Sequence, residues 1–201
     1  MLIKQKGTII VKSLVTLTII GAVLFSNEAN ANIFSYKRDH GGKFNAWYDS
    51  SVSSYGYGPA YDQGRSNWGG ITSNVSIGTT SVKSGEDTDE YYVGTTSDPT
   101  LLGQNIAYDV GWPVNIPRGK NEQNWDYTTN AIYHNNIDKY SNSGFVARYV
   151  TTHEIGHSLG IAHTTGENAS WSVMKDTVEP NKEIINTPTQ YDREQLKLIY
   201  K

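Results

Sequence analysis

His153-Glu154-Ile155-Gly156-His157-Ser158-Leu159-Gly160-Ile161-Ala162-His163 has the form H-E-x-x-H-x-x-G-x-x-H. Residues four apart on an α-helix lie one above the other, so a helix through His153 and His157 presents two imidazoles to one point. Gly160 can end that helix in a left-handed turn without the steric cost that a β-carbon would bring. The chain can then turn back and bring His163 in as a third nitrogen ligand. Three neutral imidazoles leave the full charge of Zn²⁺ at the site and one coordination position for water, the pattern of a catalytic rather than a structural zinc. Glu154 stands beside two of the ligands, where a carboxylate can take a proton from that water. The competing reading is a helix with two hydrogen-bonded histidines and an unrelated loop histidine. It needs five specified positions to align by coincidence in a chain with only five histidines.

The flanking residues support the helix. Helix signals begin at Asn142-Ser143, and the pattern runs from Phe145 to Leu159. Val146, Tyr149, Val150, His153, His157 and Gly160 recur at helical spacing on one face, while Ile155 and Leu159 fall on another. A helix apolar on two faces is expected to be covered over most of its surface. Gly156 in mid-helix costs about 1 kcal/mol against Ala, which points to a close neighbour or to simple tolerance.

Upstream, the pattern turns to strands. Phe44–Tyr48, Val75–Ile77, Tyr91–Thr95, Gln104–Val110 and Tyr127–His134 are strand candidates, with a turn at Ser97-Asp98-Pro99. Pro59 can open a short helix running to Trp68. Residues 111–124 read as a Gly/Pro/Asn loop. Ser84–Glu90 reads as a solvated acidic loop; it offers carboxylates to a calcium ion, but its spacing fits no recognised calcium loop. A final helix capped by Thr187 or Thr189 would bury Leu196, Ile199 and Tyr200. Strands with one early helix, followed by two late helices, make the class α+β.

At the N-terminus, Lys4, Lys6 and Lys12 precede an apolar run from Ser13 to Phe25, and Ala29-Asn30-Ala31 offers small residues before a cut. Residues 1–31 are therefore expected to be a secretory signal peptide, since a run of thirteen residues containing two threonines falls short of the roughly 20 a spanning helix needs. Residues 32–201 would form the catalytic domain, with the polar, glycine-containing stretch 32–43 as a flexible arm. Losing 1–31 removes three lysines and one glutamate, leaving 14 basic and 19 acidic residues and a net charge of −5. That balance argues against nucleic acid or an anionic membrane as the main partner. With no cysteine, thiol catalysis is excluded, and a metal site must be built from histidine and carboxylate.

The extended motif resembles the metzincin clan of zinc endopeptidases, in which a tight turn carries a methionine under the zinc histidines. Ser172-Val173-Met174, eleven residues after His163, matches that turn. Within the clan the chain is most similar to the matrixins: Thr164 follows the third ligand, and the last helix ends Leu198-Ile199-Tyr200. The likeness is specific over 145–176 and looser over 44–144. It implies a mixed twisted sheet with an antiparallel edge strand above the cleft, a backing helix, an active-site helix below and a C-terminal helix.

Two departures stand out. Asp176, two positions after Met174, replaces the tyrosine that some relatives use as an extra zinc ligand. Latency through a prosegment cysteine is impossible in a chain without cysteine; Asp39 is the one nearby carboxylate that a short acidic cap could place over the zinc.

The resemblance implies a secreted zinc endopeptidase, with His153, His157 and His163 holding one Zn²⁺ and Glu154 as general base. A protein or peptide substrate would bind a monomer, extended along the 104–110 edge. Two other classes stay open: a zinc hydrolase of a non-protein substrate, and a secreted binding protein with a non-catalytic zinc. The second is suggested by eighteen Tyr and Phe residues. The lysine-rich leader and lack of cysteine suit a bacterial exported protein.

Overall fold

Strands β1 (Gly42–Tyr48), β2 (Val75–Thr80), β3 (Thr88–Gly94) and β6 (Tyr127–Tyr133) run parallel in the order β2-β1-β3-β6. Parallel neighbours cannot be joined by a hairpin, and the β1-to-β2 crossing carries α1 (Ser50–Ser54) and α2 (Gly58–Trp68). β4 (Gly103–Asp109) pairs antiparallel with β6, and the three-residue β5 (Ile116–Arg118) pairs antiparallel with β4. After β6 come the short α3 (His134–Ile137), the long α4 (Ser143–Ser158), a 3₁₀ turn at Gly166–Trp171 and α5 (Gln190–Ile199). The computed structural model describes residues 32–111, 114–177 and 184–201; the segment read as a signal peptide lies outside them. No helix among the described residues is long and apolar enough to cross a membrane.

This is the α+β arrangement that the sequence pattern and the resemblance led us to expect, with three corrections. β4 is not the outermost strand. β5, hidden in the Gly/Pro/Asn loop because three residues carry little periodicity, covers Ala107–Asp109. The outer side of Gly103–Ile106 has no strand partner among the described residues. Pro117 costs β5 nothing at a sheet edge.

The acidic stretch is not a solvated loop throughout. β3 begins at Thr88, and Asp89 and Glu90 are buried because each has a cation: Arg38 lies 2.6 Å from Asp89 and Lys83 lies 3.0 Å from Glu90. Asp89 also accepts from the Thr128 amide at 2.8 Å and from its hydroxyl at 2.9 Å.

Residues 32–43, expected to form a flexible arm, are anchored. Ile33 bridges Ile161, Arg38 bridges Trp125, and β1 already begins at Gly42. The Arg38 guanidinium is fully buried and lies 4.0 Å from the Phe44 ring centroid. Composition hides this because the anchoring partners are distant in sequence.

α4 packs against both the sheet and α2. Every residue from Tyr149 to Gly160 is buried, as its two apolar faces suggest. The helices touch closely: a β-carbon on Gly64 would stand 2.9 Å from the Ile155 side chain and 3.1 Å from the Thr151 backbone. The contact is keyed by polar groups. Thr151 Oγ1 donates to the Ala60 carbonyl at 2.8 Å, and Trp68 Nε1 donates to the Thr152 carbonyl at 2.7 Å. A buried polar chain then fixes the C-terminal end of α4 to the sheet. Thr128 and Ser158 share a hydrogen bond at 2.6 Å, and Asn105 Nδ2 reaches Ser158 Oγ at 2.9 Å, Asn130 Oδ1 at 2.8 Å and the Glu154 carbonyl at 3.2 Å. α4 therefore has one position relative to β4.

Candidate metal centre and cleft

Helix periodicity places His153 and His157 one turn apart, on the part of α4 packed against the sheet and α2. Gly160 has φ +91°, the left-handed conformation expected to end the helix, and the Ile161 amide returns to the Gly156 carbonyl at 3.1 Å. The Ile33–Ile161 bridge and the Thr164–Lys175 bridge hold the returning segment on both flanks. His163 is carried between them to the two helix histidines.

The three imidazoles converge. Nε2 of His163 lies 3.1 Å from Nε2 of His153 and 3.1 Å from Nε2 of His157. Each Nδ1 faces an oxygen: His153 the Val173 carbonyl at 2.9 Å, His157 the Ile161 carbonyl at 2.8 Å, and His163 Oδ1 of Asp176 at 3.1 Å. An Nδ1 facing an oxygen acceptor must carry its proton. The neutral imidazoles therefore point three Nε2 lone pairs at one another. Such an arrangement is repulsive unless an electron-pair acceptor lies between them. Zinc bonds of 2.0–2.1 Å in a tetrahedron separate the nitrogens by about 3.4 Å, so the observed spacing suits that ion. Burial also keeps the ligands uncharged, lowering His153 to about 4 and pushing His157 well below the usual histidine range. The histidine triad is the one group of three or more His, Cys, Asp or Glu residues among the described residues that could hold a metal. Nothing there supports a calcium ion. His40 and His134 lie outside the triad.

Met174 is fully buried beneath the triad helix. The reason for Gly156 is now visible: a β-carbon there would run into the Met174 sulfur and stand 2.9 Å from the Trp68 ring. The methionine turn is braced by α5. Asp192 accepts from the Val173 amide at 3.0 Å and from the Thr189 amide at 2.8 Å, so one carboxylate both caps the helix and holds the turn. Ser172 Oγ accepts from the Met174 amide at 2.9 Å and bonds Thr164 Oγ1 at 2.8 Å.

Glu154 is 6% exposed, and burial raises its carboxyl to about 8 against a smaller opposing pull from Lys120. It opens onto a cleft of about 380 Å³ lined by residues that include Leu102, Gly103, Tyr140, Tyr149, Val150, His153, His163 and Asp176. Tyr149, four residues before His153, donates to the Lys175 carbonyl at 2.7 Å. Lys120 sits against the rings of Phe34 and Trp125, at 5.3 and 6.0 Å, and donates to the Asn105 carbonyl at 3.3 Å. Burial lowers its amine to about 8. Asp39 does not line the cleft, and its carboxylate accepts from Asn124 at 2.8 Å.

The predicted residues His153, Glu154, His157, Gly160, His163 and Met174 are thus brought to one place. Gly103, Lys120 and Tyr140 had no signal of their own in the sequence, and Tyr149 showed only as a member of the helix face that carries His153. Asp176 was visible only as a departure from a tyrosine. The family model described as Matrixin matches residues 83–201, more than half of the chain. No curated protein matches it.

Proposed function

We propose, since this chain belongs to the matrixin family of metallopeptidases, that it is a secreted zinc endopeptidase in which Glu154 is the general base. The family and the three-histidine site together indicate a catalytic zinc and peptide substrates. The observation that carries the finer reading is the convergence of three unprotonated Nε2 atoms beside a carboxylate that opens onto the same cleft.

His153, His157 and His163 would hold the ion. Bound there, zinc supplies a Lewis acid for the scissile carbonyl and a water whose pKa falls to about 7. Glu154 would accept the proton of the attacking water and deliver it to the leaving amine. Gly103 lets the β4 backbone approach the carboxylate. An extended substrate adds its main chain along the outer side of Gly103–Ile106, which gives affinity for many sequences. The wall formed by Leu102, Tyr140, Tyr149 and Val150 receives a large, mostly apolar side chain next to the metal.

Export rests on the leader-like 1–31 segment, and N-terminal sequencing of exported material beginning near Asn32 would agree with it. The enzymatic test is casein hydrolysis, abolished by a chelator and restored by zinc. A protein that binds zinc yet leaves casein and unstructured peptides intact would instead be a hydrolase of another substrate class or a binding protein.

A further inference from the structure

We infer that Asp176 is a positioning residue of the metal centre, holding the third imidazole, His163, in the tautomer and orientation that zinc requires. The inference rests on the zinc-peptidase reading and adds to it a residue that the motif does not contain.

The three ligands are not supported alike. His153 and His157 are buried on α4, and both donate Nδ1–H to main-chain carbonyls, so their orientation is built into the backbone. His163 lies on the returning loop with 42% of its side chain exposed, and its Nδ1 meets a side chain, the Asp176 carboxylate, at 3.1 Å. Alignment comes from the strand-like contact beside it. Thr164 bridges Lys175 and its amide donates to the Met174 carbonyl at 2.9 Å, which sets His163 and Asp176 side by side. A ring 42% exposed on a loop can rotate about its bond to that loop unless something holds it. Rotation would carry Nε2 out of line with its two partners.

The carboxylate supplies two things that a carbonyl does not. Its charge makes the imidazole a stronger electron donor, and it places one negative charge near a site whose three ligands are all neutral. For folding itself the pair is minor. Asp176 is 69% exposed, and exposed ion pairs contribute little to stability. A metal-specific role and a structural role therefore predict different results.

The test is a zinc competition titration of the full chain against a chromophoric chelator, run beside thermal unfolding of the metal-free protein. Asp176→Ala should bind zinc ten- to a hundredfold more weakly, with the metal-free melting temperature nearly unchanged. Asp176→Asn should fall between, because the amide oxygen can still accept the Nδ1 proton but brings no charge. Asp176→Glu should recover part of the loss. Zinc affinity of Asp176→Ala within twofold of the parent would overturn the inference, as would a large drop in metal-free stability that accounts for the weakened binding. His163→Ala serves as the control. If that variant kept stoichiometric zinc, the triad reading beneath the inference would fall, a result distinct from normal zinc binding by Asp176→Ala alone.

Discussion

Gly103 and Glu154 touch so closely that a β-carbon built on Gly103 would stand 2.6 Å from Oε1 of Glu154. The same atom would lie 2.5 Å from a Val150 methyl group. β4 therefore approaches α4 at a distance that only glycine permits, and the Glu154 carboxylate is packed against backbone.

Gly103→Ala should accordingly damage catalysis more than metal binding. Either Glu154 swings away or β4 retreats, and a shift of about 1 Å at the reacting groups can cost on the order of 100-fold in rate. Overpacking should add about 1–3 kcal/mol of destabilisation. Paired measurements of kcat/KM and zinc content check this: full zinc with normal kcat/KM would mean that the carboxylate is not held by this contact.

Asp89→Ala should be among the most destabilising substitutions outside the site, costing about 3–5 kcal/mol, because it leaves the fully buried Arg38 guanidinium without its counter-charge. Replacing both partners, as Arg38→Met with Asp89→Leu, should cost less than Asp89→Ala alone. Urea unfolding of the two variants compares them directly.

Lys120→Met should stabilise the chelated protein at neutral pH. Burial lowers the Lys120 amine from 10.5 to about 8, with Glu154 and Asp89 opposing the shift, so below about pH 8 the folded state carries a charge it disfavours. Between about pH 8 and 10.5 the unfolded chain still binds the proton that the folded chain has released, and parental stability rises with pH. The advantage of the variant, up to about 3 kcal/mol, should therefore be full below about pH 8 and shrink toward pH 10.5. Thermal unfolding of both proteins across that range reads it; an advantage independent of pH would assign it to packing alone.

The residues legible in the sequence are those that local geometry constrains. Helical spacing ties His157 to His153, the left-handed turn needs Gly160, and His163 follows within a few residues. Gly156 was legible as an anomaly and found its cause in Met174 and Trp68. What stayed hidden depends on partners far along the chain. Asp89 looks solvated in a run of acidic residues until Arg38, 51 positions away, is seen against it. Residues 32–43 look loose for the same reason, because Ile161 and Trp125 hold them. β5 is too short to show a period, and only the pairing with β4 makes it a strand. Asp176 carries no motif; the Thr164–Lys175 bridge is what delivers it to His163.

The central claim is that Glu154 moves the proton while the three histidines hold the metal, and Glu154→Gln separates those roles. The amide fills the same space but cannot take a proton from water at neutral pH. Zinc content and peptide cleavage should be measured on one preparation. The account predicts stoichiometric zinc with hydrolysis reduced by at least about 10²–10⁴-fold. Stoichiometric zinc with peptidase activity near that of the parent protein would contradict it.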